Sequence, residues 1–112
     1  MKKVEAIVRA SKFEEVKDAL AQLDIKGMTV THVLGCGHQG GKTNVYRGSE
    51  YTVDLLPKVK VEIVTKDHMV DDLISVISKA AKTDKIGDGK IFVYSIDNVV
   101  RIRTGEINEK AL

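Results

Sequence analysis

One order of hydrophobic periods occurs twice in this chain, and it limits the folds available. Lys3 to Arg9 alternates, with Val4, Ala6 and Val8 on one side and Glu5, Ile7 and Arg9 on the other, as a strand does. Ser11-Lys12-Phe13-Glu14 has the form of a capping box, and Phe13, Val16, Leu20 and Leu23 follow at helical spacing. Ile25-Lys26-Gly27 is expected to end that helix, with Gly27 in a left-handed conformation. Met28 to Leu34 alternates again and is rich in β-branched residues. After a long interruption, Val59, Val61 and Ile63 mark a third strand, with Pro57 at its start. Asp67 is the expected N-cap of a second helix, whose buried stripe is Val70, Leu73, Ile74, Ile77 and Ala81. Lys90 to Ile96 is a fourth strand, and Val99 to Arg103 reads as a short edge strand.

The order is therefore β-α-β, long loop, β-α-β. Right-handed crossovers turn it into a ferredoxin-like α+β fold, a split βαβ antiparallel sheet (βαββαβ) with both helices on one face. The other face is expected to expose Ile and Val side chains, and an uncovered apolar face predicts self-association. Between Gly35 and Leu56 no period is sustained, and Gly35, Gly37, Gly40, Gly41 and Gly48 punctuate the stretch. A structureless segment of that length in a small domain is usually functional.

Composition removes several classes of function. The 112 residues allow one domain, and 43% apolar with 30% charged residues is a globular balance. A net charge of +2 gives no electrostatic reason to wrap nucleic acid, and with no Trp and few other aromatics, stacking platforms are scarce. No apolar run reaches membrane-span length, and residues 1–10 lack a signal-peptide core. One cysteine, Cys36, rules out an internal disulfide framework, so a reducing cytoplasm is the expected compartment.

The chemistry concentrates in Gly87-Asp88-Gly89-Lys90 and, eleven residues after Lys90, Arg101-Ile102-Arg103-Thr104-Gly105. Glycines let backbone N–H groups approach an anion, and one lysine with two arginines suits a polyphosphate. In an extended chain Arg101 and Arg103 point to one face. The spacing is not that of a Walker A loop.

Four segments in this order resemble the PII nitrogen-regulatory signal-transduction proteins. They are Tyr46-Arg47-Gly48-Ser49-Glu50-Tyr51, Leu56-Pro57-Lys58-Val59-Lys60, Ile86-Gly87-Asp88-Gly89-Lys90-Ile91-Phe92 and Arg101-Ile102-Arg103-Thr104-Gly105-Glu106. Met1-Lys2-Lys3-Val4-Glu5-Ala6-Ile7 fits as well, and the likeness runs from Lys2 to about Glu106. It implies a single PII-like domain over residues 1–112, with a T-loop at about 37–55, a B-loop at about 82–90 and a C-terminal loop at about 101–108. It also implies a homotrimer that binds ATP or ADP in clefts between subunits, and 2-oxoglutarate beside MgATP. The T-loop would regulate targets by its shape. An ammonium transporter is the expected target, with glutamine synthetase, its modifying enzymes and an arginine-pathway kinase as alternatives. The protein would be cytoplasmic and recruited peripherally to the membrane by the transporter, with no direct insertion.

The resemblance also assigns residues. Gly87, Asp88, Gly89 and Lys90 would hold the phosphates together with Arg101 and Arg103, and Thr83 lies at the family position just upstream. Ile7, Gly27, Met28, Thr29, Gly35, Gly37 and Val64 would line adenine and ribose, and His38 and Gln39 complete the nucleotide set. Gln39, Gly40, Gly41, Lys58 and Gly87 would take 2-oxoglutarate, with Lys58 as the point charge for its far carboxylate. The Gln39 carboxamide oxygen suits Mg²⁺ held by ATP and the keto acid. Arg47 would contact the target and block a transporter pore; about nine residues out and nine back, at ~3.3 Å each, extend the loop by up to ~30 Å. Tyr51 and Ser49 are candidate modification sites. Two positions depart from the family pattern: His38 replaces an arginine, giving up a permanent charge, and Asp84 replaces a glycine.

Three rivals use other chemistry. A ferredoxin-like phosphate-handling enzyme, of acylphosphatase or phosphotransferase type, needs a nucleophile or base, and His32, His38 and His68 have no acidic partner at a suitable spacing. The expectation is that the chain is not an enzyme and has no catalytic residues. A metal centre on His32, Cys36 and His38 lacks an evident fourth ligand. An RNA-recognition module would need more strand aromatics than Phe92 and Tyr94.

Overall fold

The fold is built on a strand with neighbours on both sides. In a computed structural model of the chain, β1 (Lys2–Arg9) pairs antiparallel with β5 (Leu56–Thr65) and with β6 (Gly89–Ser95), and β2 (Thr29–Gly35) lies outside β5. The structure describes residues 1–36 and 55–112, and the backbone pairing of 42–46 and 49–53. Among the described residues the main sheet has the order β2-β5-β1-β6. Helix α1 (Phe13–Leu20) connects β1 to β2 across β5, and α2 (Val70–Ala81) connects β5 to β6 across β1. These interleaved crossovers are the split βαβ topology expected from the order of periods.

Parity decides what each strand buries. Val4, Ala6 and Val8 of β1 lie opposite Ile63, Val61 and Val59 of β5, and all six are buried. The helices close over them with Val16, Leu20, Leu73, Ile77 and Ala81. Each fully buried aliphatic side chain contributes about 1.5–3 kcal/mol of hydrophobic stabilisation. Acidic residues occupy the first turns, Glu14 and Glu15 in α1 and Asp71 and Asp72 in α2, where they complement the helix dipoles.

The open face differs from the apolar surface expected of it. Ile7, Val33 and Val64 stand there among Lys3, Glu5, Lys60, Glu62, Phe92 and Tyr94. Lys3 Nζ lies 3.3 Å from Glu62 Oε2 and 3.6 Å from Glu5 Oε1, and 4.7 Å above the Tyr94 ring. The Tyr94 hydroxyl donates to Glu5 Oε2 at 3.1 Å. The same period of two that buries valines on one side sets charges beside Ile7, Val33, Val64, Phe92 and Tyr94 on the other, so the open face is mixed instead of uniformly apolar.

Local structure corrects several other expectations. Ser11 lies in a 3₁₀ turn, Ala10–Lys12, with no side-chain cap bond, so the capping box is not formed. Helix α1 ends at Leu20, before Ile25; it closes with the Leu23 N–H donating to the Leu20 carbonyl, a tightened last turn. Leu23 and Ile25 still pack against the core, which is why the apolar period outlasts the helix. Gly27 is not left-handed. Asp67 begins a 3₁₀ turn, Asp67–Met69, and caps nothing; its carboxylate is 2.8 Å from the Met1 amino group, which holds its pKa below the usual value. Pro57 is the second residue of β5, one position beyond the end of the β1 ladder. The stretch read as structureless contains a two-stranded ladder, β3 (Lys42–Tyr46) with β4 (Ser49–Val53), whose β-branched and aromatic residues were the available signal. Val99 to Arg103 is not a strand, since an isolated bridge joins Val100 to Ile107.

Leu73 is completely buried at the helix–sheet contact. Leu73→Ala is expected to cost about 2–5 kcal/mol, read as a lower denaturation midpoint at unchanged slope.

Candidate nucleotide and anion site

The loop from Thr83 to Gly89 folds around one carboxylate. Asp88 accepts from the Thr83 N–H at 2.7 Å and the Asp84 N–H at 3.0 Å, and also from the Thr83 hydroxyl. Arg9, the last residue of β1, donates to it through Nε at 3.0 Å. These donors favour the charged form, and the Thr83 hydroxyl and amide hold the Asp88 pKa well below the ordinary carboxylate range. Asp84 takes a positive φ of 67°, a conformation more natural to glycine.

Two cations tie this loop to the sheet. Arg9 Nη2 donates to the Ile86 carbonyl at 2.8 Å, and Lys58 Nζ donates to the Gly87 carbonyl at 2.6 Å. Lys58 is 5% exposed, far from the solvated lysine that a strand start would ordinarily carry. Its burial, together with the nearby Arg9 charge, pushes its pKa down, against a smaller opposing pull from Asp88. Its stem passes over Gly35 of β2, where an added Cβ would sit 2.8 Å from Lys58 Cγ. Gly89 meets β1 still more closely: at φ +102° an added Cβ would come 1.7 Å from the Ile7 carbonyl oxygen. No other residue type fits there without moving the strand. Lys90, at the start of β6, pairs with Ile7, so Ile7, Gly35, Lys58 and the 87–90 segment gather at one end of the sheet.

A second set collects elsewhere. Gly27, Met28, Thr29, Val64 and Arg101 line a groove of about 520 Å³ with Lys3, Glu62 and the C-terminal turn. Arg101 donates to Glu106 Oε1 at 3.3 Å and to the Leu112 carbonyl at 3.2 Å. The Gly105 N–H closes a turn onto the Arg101 carbonyl at 2.8 Å, so Arg101 and Arg103 do not share the extended face expected of them. The turn forms because Gly105 supplies a φ of +73°. Arg103 is exposed on it.

The two sets stand apart within the protomer. Lys58 and Val64 are six residues apart on β5, about 20 Å along a strand. Arg101, beside Val64, and the loop amides beside Lys58 are thus not aimed at one anion by a single protomer, contrary to the direct reading of their spacing. The remaining residues assigned from the resemblance lie outside the described residues: Gly37, His38, Gln39, Gly40, Gly41 and Arg47, and the side chains of Ser49 and Tyr51.

This pairing of a glycine loop with a buried lysine at one end and an arginine groove at the other extends over nearly the whole chain, and so does the likeness to known proteins. The family model for nitrogen regulatory protein P-II matches residues 1–106. The chain belongs to the P-II family. It is 56% identical to the nitrogen regulatory protein P-II of Pasteurella multocida and 53% to that of Haemophilus influenzae. It is 54% identical to nitrogen regulatory protein P-II 1 of Escherichia coli. Each alignment covers 100% of both chains. Among the described residues no group of three His, Cys, Asp or Glu side chains could hold a metal; Cys36 is exposed, and His38 of the candidate triad lies outside the described residues. Among them, too, no helix is long and apolar enough to cross a membrane.

Arg9 and the loop-centring role of Asp88 escaped the sequence reading. Arg9 looks like any charged residue at a strand end; the Thr83–Asp88 spacing was the one usable hint of a side chain bonding back to its own loop.

Because the folded state depresses the Asp88 pKa, its ionisation stabilises the protein fully above the unfolded value near pH 4, and that contribution is lost as pH falls toward the folded value. Asp88→Asn should therefore melt below the parent at about pH 7, and the gap should narrow below about pH 4. A gap independent of pH would assign the effect to packing instead of charge.

Proposed function

We propose that this P-II protein is a homotrimeric sensor that binds ATP or ADP between subunits, and 2-oxoglutarate beside MgATP. It regulates targets through the shape of residues 37–55, with an ammonium transporter as its first target. The observation that carries this reading is the division of the candidate residues into two sets about 20 Å apart along β5. In a ring of identical subunits, the loop set of one protomer abuts the groove set of the next, and a nucleotide between them meets both. The Gly87–Gly89 amides and Lys90 would then face the phosphates, Met28, Thr29 and Val64 the base and ribose, and Arg101 and Arg103 the phosphates from across the boundary.

Lys58 suits the far carboxylate of 2-oxoglutarate. A buried ammonium is poorly solvated, so an anion that reaches it replaces little water and gains most of the Coulomb attraction. Mg²⁺ would be held by phosphate oxygens, the keto acid and Gln39. Occupancy of this site, adjacent to Gly37–Gly41, would change the T-loop. A coupling of ~1–3 kcal/mol between ligand and loop states is sufficient for a switch. Arg47 would then enter or leave the transporter pore, and charge added at Tyr51 or Ser49 would alter docking. No catalytic step is part of this function, and any ATP turnover is expected to be slow; rapid phosphoryl transfer to a small acceptor would instead favour the enzyme reading.

Calorimetry with ATP, ADP and 2-oxoglutarate in combination tests the sensor. The expected result is 2-oxoglutarate uptake only with MgATP present, and uptake without nucleotide would overturn the coupling. Mixing protomers tests the cleft. Lys90→Ala and Arg101→Ala should each bind ATP weakly, whereas a randomly co-assembled equal mixture regains about a quarter of the strong sites. A mixture no better than its components would place both sets in one subunit's site.

A further inference from the structure

We propose that Arg9 is a positioning residue of the anion loop, setting the aim of the Gly87–Gly89 amides without touching the nucleotide itself. The proposal rests on the reading of this loop as a phosphate site. Arg9 is the last residue of the doubly paired strand β1, and its side chain is 25% exposed. One face of its fork holds the Asp88 carboxylate at 3.0 Å and the other holds the Ile86 carbonyl at 2.8 Å. Both acceptors flank Gly87. A planar fork that grips positions 86 and 88 restricts the peptide between them, and a lysine cannot supply two donors in that fixed geometry.

The loop needs such a grip. Gly87 and Gly89 both have φ near +100°, conformations that glycine leaves at little cost. Gly89 is held by its contact with the Ile7 carbonyl and by pairing with Val8; Gly87 lies beyond the ladder, where Lys58 fixes its carbonyl but the peptides on either side rely on Arg9. Arg9 also screens the loop's own carboxylate. With Arg9 removed, Asp88 would keep its charge next to an incoming phosphate and would repel it. The Thr83 and Asp84 amides and the Thr83 hydroxyl remain on Asp88, so the loop would stay folded but be wrongly aimed and more negative.

Three full-length variants test this: Arg9→Gln, Arg9→Lys and Arg9→Gln/Asp88→Asn, compared with the parent and with Asp88→Asn. Arg9→Gln should weaken ATP binding about tenfold or more, the size of a lost charge-assisted bond. Arg9→Lys should recover part of the loss. The double variant should bind no worse than Arg9→Gln, because both residues act through one loop geometry. In nucleotide-free protein, amide exchange at Ile86, Gly87 and Gly89 should quicken in Arg9→Gln, while Leu73 and Ile77 in α2 stay protected. ATP affinity within twofold of the parent, or losses that multiply in the double variant, would overturn the proposal. So would exchange that rises equally in α2, which marks a general loss of stability. A parent protein that fails to bind ATP would instead defeat the nucleotide reading, and the exchange measurement would still decide whether Arg9 holds the loop.

Discussion

A strand paired along both edges has no freedom to slip, and β1 is paired that way from Lys2 through Val8. Its register sets which residues of β5 and β6 share each face. A shift of one position would turn Val4, Ala6 and Val8 outward and drive Lys3, Glu5 and Arg9 beneath the helices. The cost of burying three charges without partners excludes that alternative. The packing of both helices and the network on the open face therefore depend on this one alignment.

The candidate site follows from where that alignment ends. Arg9 leaves β1 beside the start of β5 and the start of β6, so it meets Lys58 and the Ile86–Asp88 turn together. Gly89 comes close to the Ile7 carbonyl for the same reason: β6 enters the sheet there with no room for a side chain. The result is a loop whose acidic centre is saturated by its own donors, beside a lysine almost wholly removed from water. Arg9 and Lys58 together outnumber the single Asp88 charge beside the loop, an arrangement compatible with the anion site proposed above.

Several structural features were legible in the sequence because each has a strong local cause. Alternation in β1 and β5 and the helical stripe from Val70 to Ala81 identify the elements and their order, and the order restricts the topology. The boundaries were less legible. Leu23 and Ile25 continue the apolar period of α1 after its hydrogen bonding has ended, because they pack on the core without being helical. The β3–β4 ladder was missed because glycines on either side obscure a short run of β-formers.

What this sequence determined by itself is the family, the succession of elements and the glycine, lysine and arginine residues that make up the candidate site, since each depends on residue type and spacing along the chain. Only the tertiary structure decided that Lys58 is buried, that Asp88 is an internal acceptor, that Arg9 bonds to Asp88 and the Ile86 carbonyl, and that Arg101 faces a different groove. Apart from the short-range bonds of Thr83 and Asp84 to Asp88, the loop contacts among those facts join residues 29 and 79 positions apart, Lys58 with Gly87 and Arg9 with Asp88. The energy of such a contact comes from the meeting of two strand ends in space, and no local pattern encodes it.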